Sequence, residues 1–129
     1  MYFRYMESLT PNIFVDNINE TIAFYKLLGF TVVMTVPEDG NYDWAMMTNE
    51  GVTLMFQTFA SLGEELHDIH RTDGGSLLLY IKLKSIRSFF EEIKDKVTVL
   101  KGIEKTFYGA TEFSIKDCND YVLTFAEDE

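Results

Sequence analysis

The sequence feature that most constrains the fold is an internal repeat at a nearly constant spacing. GFTVV at residues 29–33 is matched by KVTVL at 96–100, 67 residues later, and TLMF at 53–56 is matched by VLTF at 122–125, 69 residues later. Similarity at a fixed period indicates copies of one supersecondary unit. In a chain of 129 residues, this spacing predicts two similar halves.

Hydrophobic periodicity predicts a β-α-β-β-β order in the first half. A strand over residues 9–15 is followed by Asn17 and Glu20, which form a capping-box pattern before residues with helical apolar spacing. Gly29 is expected to end that helix, because glycine adopts the left-handed conformation past a helix end without strain. Three further strands are expected at residues 30–36, 42–48 and 52–57.

The second half repeats this order. A strand over residues 76–83 is followed by Ser85, which is expected to cap a helix carrying Phe89 and Phe90. Three strands are then expected at residues 97–100, 111–116 and 121–126. The predicted fold class is therefore α+β, with two β-α-β-β-β modules that form a curved mixed sheet.

The domain organisation follows from the repeat and the polar stretch between its copies. We expect a first module at residues 1–58, a linker at 59–74 and a second module at 75–129, which together make one domain. A chain of this length buries enough surface for a core without disulfides, and a single cysteine, Cys118, favours a reducing compartment.

Charge and hydropathy exclude several partners. The net charge of −10 disfavours binding to nucleic acid and to anionic membranes and suits a neutral or cationic ligand. No apolar run has the length of a membrane span, and the first eight residues lack the pattern of a secretion signal. These features predict a cytoplasmic location.

Three segments resemble a known superfamily. PNIFVDNINETIAFYKLLGFTV at residues 11–32 and SLLLYIKLKSIRSFFEEI at 76–93 are similar to the opening strand and helix of the two modules of the vicinal oxygen chelate superfamily. This superfamily includes glyoxalase, dioxygenases and bleomycin resistance proteins. YGATEFSIKDCNDYVLTFAE at 108–127 resembles the closing segment of the bleomycin-resistance branch. The resemblance implies a glyoxalase/bleomycin resistance fold and a homodimer with ligand clefts.

The resemblance also implies where a metal would be held. Metal-dependent relatives use four His or Glu side chains, and these positions fall at Leu9, at Leu54 or Met55, at Ser76 and at Thr124. None of these residues is His, Asp, Glu or Cys, the side chains that hold divalent ions in such sites. We therefore expect no metal cofactor.

A second metal candidate lies in the predicted linker. Glu64, His67 and His70 have the spacing E-x-x-H-x-x-H, which on a helix brings all three to one side. Because the stretch is polar, lacks an evident fourth ligand and is interrupted by Leu66 and Ile69, a solvated turn is the favoured interpretation.

Strand alternation divides the side chains between a face under the helix and an open face. Leu77, Leu79, Ile81, Phe113, Ile115, Leu123 and Phe125 are assigned to the face under the helix. The open face is assigned Leu9, Pro11, Ile13, Met55, Gln57, Ser76, Leu78, Tyr80, Glu112, Ser114, Val122 and Thr124, with Trp44, Met46, Phe107 and Tyr108 as candidates to join it. Mainly apolar and aromatic surfaces with a few polar groups are typical of ligand pockets. The predicted ligand-binding residues are Trp44, Met55, Gln57, Tyr80, Tyr108, Glu112, Ser114 and Thr124.

Two main functions follow from these expectations, and a third possibility is a regulatory or partner-binding module whose open face holds another chain. The first is a metal-independent protein that binds and sequesters a small molecule, cationic or aromatic. The alternative is a superfamily enzyme, a lyase, isomerase or dioxygenase, with an atypical metal site or none. No nucleophile elbow, phosphate-binding loop, HExxH or dinucleotide motif occurs in the sequence.

Overall fold

The structure is a computed structural model and describes residues 4–64, 66, 68–72 and 75–129. The order of strands and helices in both halves is the predicted β-α-β-β-β. The elements are β1 (Asn12–Val15), α1 (Ile18–Leu27), β2 (Thr31–Val36), β3 (Trp44–Asn49), β4 (Val52–Thr58), β5 (Leu78–Lys82), α2 (Ile86–Ile93), β6 (Thr98–Lys105), β7 (Ala110–Lys116) and β8 (Val122–Asp128). A 3-10 turn at Phe59–Ser61 follows β4.

The chain divides into two compact units, unit 1 at Met1–Leu66 and unit 2 at His67–Glu129. Each unit has one four-stranded mixed sheet, with strand order β1-β4-β3-β2 in unit 1 and β5-β8-β7-β6 in unit 2. In both sheets the opening strand pairs in parallel with the closing strand, and the other pairs are antiparallel. The predicted α+β fold is confirmed, as two mixed sheets of identical topology.

In unit 1, local signals in the sequence set the bounds of α1. The Asn17 side chain accepts a hydrogen bond from the Glu20 backbone N–H at 2.9 Å, as the capping pattern predicted. The helix ends before Gly29, which has a φ of +96° and approaches Asn49 so closely that an added Cβ would lie 2.9 Å from its Nδ2. The helix buries Tyr25, whose ring lies 4.8 Å from that of Phe56 on β4.

In unit 2, the core between α2 and the sheet is aromatic. Phe113 on β7 is fully buried, and its ring centroid lies 4.9 Å from that of Phe90 and 5.2 Å from that of Phe125. Ile115 and Leu123 are also fully buried, so these four strand residues face the helix as alternation predicted. Burial of such rings supplies the main stabilisation of a core of this size.

The N-terminus of α2 is capped from a distant strand. Ser85 occupies the N-cap position with a φ of +60°, but its side chain makes no capping hydrogen bond. The carboxylate of Glu127 on β8 instead accepts the N–H groups of Ser85 and Ile86 at 3.1 and 3.0 Å. Ser85 is thus the N-cap residue, as predicted, but Glu127 and not the Ser85 side chain makes the capping hydrogen bonds.

Some strands begin and end at other residues than predicted, and some side chains lie on another face of the sheet than the one assigned to them. Ile13 is buried and lies in register with buried Phe56, so it faces the helix and its assignment to the open face was wrong. Leu9 and Leu77, which precede β1 and β5, are 87% and 55% exposed. Leu77 therefore does not pack under α2 as predicted, whereas Leu79 and Ile81 on β5 are half-buried.

Both units have a β-bulge at the same point of their second strand. In β2 the register passes from Val32 opposite Met47 to Met34 opposite Met46, which leaves Val33 as the extra residue. In β6 it passes from Val99 opposite Ile115 to Lys101 opposite Ser114. A bulge moves the following side chain to the other face of the sheet.

Neither helix of the described residues is long and apolar enough to cross a membrane.

Candidate functional site

The open face of unit 2 carries a carboxylate held by two phenols. Tyr80 on β5 and Tyr108, in the turn before β7, both donate hydrogen bonds to the same oxygen of Glu112, Oε2, at 2.5 Å. Glu112 is half-buried, and the two tyrosines are 47% and 57% exposed. We call these three residues the tyrosine–carboxylate cluster; the sequence predicted each of them as ligand-binding.

The ionisation of the cluster follows from these hydrogen bonds. The bond to Glu112 raises the pKa of Tyr80 to about 12, with partial desolvation and the carboxylate charge acting in the same direction. The bond to Glu112 also raises the pKa of Tyr108. Both phenols are therefore protonated at neutral pH and act as donors, so neither is suited to be a general base.

Beside the cluster lies a row of polar side chains that crosses the sheet. Lys101 on β6 pairs with Ser114 on β7, which pairs with Thr124 on β8, which pairs with Tyr80 on β5. The Ser114 and Thr124 hydroxyls are 2.8 Å apart and hydrogen-bonded, although Thr124 is only 5% exposed. Lys101 forms an ion pair with Glu104 at 2.6 Å, and the hydrogen bond to this carboxylate raises the pKa of Lys101.

The remaining predicted site residues share the open face of unit 1. Trp44 on β3 lies in register with Gln57 on β4, and Met55 occupies the next open-face position of β4. The Gln57 Oε1 atom accepts a hydrogen bond from Asn12 Nδ2 at 2.9 Å. The eight predicted residues thus fall into two groups, three in unit 1 and five in unit 2.

Sequence reasoning missed Lys101 and Glu104 because it ended the sixth strand at residue 100. The bulge after Val99 interrupts the alternation at that point, although the strand continues to Lys105. Asn12 was missed because Ile13 was assigned to the open face in its place. In the sequence, only the internal repeat pointed to Lys101. Lys101 lies five residues after Lys96, where the segment that matches the one at Gly29 begins.

The four positions that the resemblance gave as metal ligands lie in different environments. Leu9 and Ser76 are exposed and precede their strands, Leu54 is buried on the helix side, and Met55 and Thr124 lie on the open faces. Within the described ranges, no group of three or more His, Cys, Asp or Glu side chains is placed to hold a metal ion. Of the linker candidates, Glu64 and His70 are exposed, and His67 lies outside the described residues.

Solved structures with the same fold cover nearly the whole chain. TioX from Micromonospora sp. ML1 is 12% identical, with a TM-score of 0.76 over 96% of this chain and 100% of that protein. A protein of unknown function from Agrobacterium tumefaciens str. C58 is 20% identical, with a TM-score of 0.78 over 99% and 98% of the two chains. A glyoxalase/bleomycin resistance protein/dioxygenase family enzyme from Burkholderia phytofirmans PsJN is 17% identical, with a TM-score of 0.77 over 93% and 97%.

At these identities the structural likeness establishes the fold alone. No curated protein sequence matches the chain. The sequence profile of one superfamily, however, matches residues 7–125, nearly the full length. The chain therefore belongs to the Glyoxalase/Bleomycin resistance protein/Dioxygenase superfamily.

Proposed function

We propose that this protein binds and sequesters a small organic cation on the open face of unit 2, with Glu112 as the anionic contact and Tyr80 and Tyr108 as aromatic walls. The observation that carries the proposal is the pair of phenol hydrogen bonds to one carboxylate oxygen. They fix the carboxylate on an exposed face and leave the tyrosine rings beside it. An ammonium or guanidinium group is attracted both to a carboxylate and to the face of a tyrosine ring.

The surroundings of the cluster support the same class of ligand. The net charge of −10 raises the concentration of cations near the protein and repels anions. Ser114 and Thr124 supply hydroxyl groups for orienting a polar ligand. The exposed side chains of Leu78, Phe107 and Tyr108 supply apolar area beside them.

The alternative function is a superfamily enzyme, a lyase, isomerase or dioxygenase, that acts at the same face. Such an enzyme would use the tyrosine hydroxyls as hydrogen-bond donors to its substrate, because both phenols remain protonated at neutral pH. Turnover of the bound compound, or stoichiometric divalent metal in protein purified without an affinity tag, would favour the enzyme over the binding protein.

The proposal is tested by calorimetric titration of the full chain with a panel of aromatic ammonium and guanidinium compounds and their neutral isosteres. We expect binding of at least one cation and at least about tenfold weaker binding of its neutral isostere, which lacks the charge-assisted contact. Equal affinity for both members of every pair would refute a role for the carboxylate.

Matched variants assign the binding to the cluster. Glu112→Gln keeps an oxygen acceptor for both phenols but removes the negative charge, so it should abolish the preference for the cation. Glu38→Gln removes one charge from an exposed turn in unit 1 and should leave the preference unchanged. If the preference for the cation fell equally in both variants, it would arise from the net charge of the protein and not from the site.

We also propose that the protein is a homodimer. Large apolar side chains are exposed in both units, including Val33 (54%), Leu78 (50%), Leu100 (48%) and Phe107 (99%). Surfaces of this kind are commonly covered by association. Sedimentation equilibrium should give twice the mass of the chain, 14.9 kDa, and a monomer at all accessible concentrations would contradict the proposal.

A further inference from the structure

Three methionines lie in one row on the open face of unit 1. Met34 on β2 is in register with Met46 on β3, and Met46 is in register with Met55 on β4. Directly opposed residues in an antiparallel pair have Cβ atoms roughly 5 Å apart. Met46 and Met55 are half-buried, and Met34 is 56% exposed. We call these residues the thioether row.

The bulge in β2 creates this row. Without an extra residue, the position opposite Met46 would be taken by Val33, and Met34 would share the helix-side face with Val32. The bulge instead turns Met34 to the open face, where it completes a line of three sulfur-bearing side chains. A bulge that redirects a side chain in this way is a common feature of functional sites.

In the equivalent row of unit 2, one pair of neighbours makes side-chain contact. Lys101, Ser114 and Thr124 occupy the same places in the topology as Met34, Met46 and Met55, after a bulge at the same point. There the Ser114 and Thr124 oxygens are 2.8 Å apart. Methionine has a longer and more flexible side chain, so its sulfur reaches at least as far towards a neighbour.

We propose that Met34, Met46 and Met55 form a binding site for a soft monovalent metal cation, Cu(I). Thioether sulfur is a soft, neutral ligand that selects Cu(I) over the hard and borderline divalent ions held by His and carboxylate sites. The three strands that carry the row have no charged residues. Beside the three methionines they present uncharged side chains to the open face, among them Trp44, Thr48 and Gln57. The overall negative charge favours a cation. All three residues of the thioether row lie in unit 1.

The experiment is an anaerobic titration with Cu(I), buffered by a chromophoric Cu(I) chelator, in the Cys118→Ser background. This substitution removes the only thiol, which would otherwise compete for the metal. We expect one Cu(I) bound per chain, replaceable by Ag(I) and not displaced by excess Zn²⁺. Trp44, the only tryptophan, lies two residues from Met46 on the same face, so its fluorescence should change as the metal binds.

Leucine variants locate the site, because leucine has a similar volume and lacks sulfur. Met46→Leu should weaken Cu(I) binding at least about tenfold, because loss even of an outer-shell partner of a metal ligand costs that much affinity, and the triple Leu variant should abolish it. Met6→Leu, at a 91% exposed position outside the strands, should bind as the parent does. The proposal is overturned if the Cys118→Ser protein binds no Cu(I), if Zn²⁺ displaces the metal, or if Met46→Leu binds it with unchanged affinity.

Discussion

Replacing Glu112 with Gln should return the titration of Tyr80 most of the way to that of an ordinary phenol. In the wild-type protein the hydrogen bond to Glu112 raises the pKa of Tyr80 from 10.0 to about 12, and partial desolvation and the carboxylate charge add to the effect. The amide of Gln accepts a hydrogen bond without carrying a charge. The largest contribution is therefore weakened and the Coulombic one from Glu112 removed, so the pKa of Tyr80 should fall from about 12 towards its ordinary value of 10.0.

The assay is the near-ultraviolet absorbance of tyrosinate during an alkaline titration. Tyr80 is one of seven tyrosines, so its contribution is taken as the difference between each protein and the same protein carrying Tyr80→Phe. Glu104→Gln is the matched control, because it removes a carboxylate from the neighbouring strand but Glu104 is not among the groups that shift Tyr80. This account of the cluster is refuted if Glu112→Gln leaves the pKa of Tyr80 unchanged. It is also refuted if Glu104→Gln lowers that pKa by the same amount.

The same pKa sets the sign of a stability effect. Because the pKa of Tyr80 in the folded protein lies above its ordinary value of 10.0, the protonated phenol contributes stability fully below pH 10. That contribution is lost as the pH rises from 10 to about 12. Urea midpoints of the wild type should therefore fall more steeply across this interval than those of Tyr80→Phe.

Three further predictions concern the fold. Phe113→Ala should lower the free energy of unfolding by about 3–5 kcal/mol in urea denaturation, since it opens a cavity among buried rings; a loss below about 1 kcal/mol would contradict the packing described. Glu127→Gln should speed hydrogen exchange at the Ser85 and Ile86 amides. In the wild type, backbone hydrogen bonds lower the pKa of Glu127, so the stability that its carboxylate contributes should be lost as the pH falls below 4.5 through that pKa. Gly29→Ala should cost more than about 1 kcal/mol because the φ of +96° and the close approach to Asn49 both disfavour a Cβ; unchanged thermal stability would show that the helix end relaxes.

Features of the fold that depend on neighbouring residues could be predicted from the sequence. Asn17 and Gly29 determine the ends of α1 through contacts within a few residues, and Leu123 and Phe125 alternate regularly along β8. The internal repeat then predicted the same order of strands and helices in both halves of the chain. Each of these signals is local or is copied at a fixed spacing, so the sequence carries it directly.

Features that depend on tertiary contacts could not be predicted. Glu127 caps a helix 41 residues earlier in the chain, and no local pattern identifies it. The choice of Ile13 over Asn12 for the open face failed because alternation gives the period of a strand but not which side meets the helix. In the candidate site, Tyr80 and Glu112 were assigned to one face correctly, but their hydrogen bond depends on the position of β8 between their strands.

The bulge at Val33 also bears on the solubility of the protein. β2 is one of the two outer strands of its sheet, and its residues from Thr31 to Val36 carry no charge and are mostly exposed. An outer strand of this composition is a template for adding strands from other molecules, and natural proteins interrupt such templates with irregularities. Deleting Val33 would straighten the strand and restore a continuous set of hydrogen-bonding groups along the edge. We expect that deletion to make the protein form fibrils.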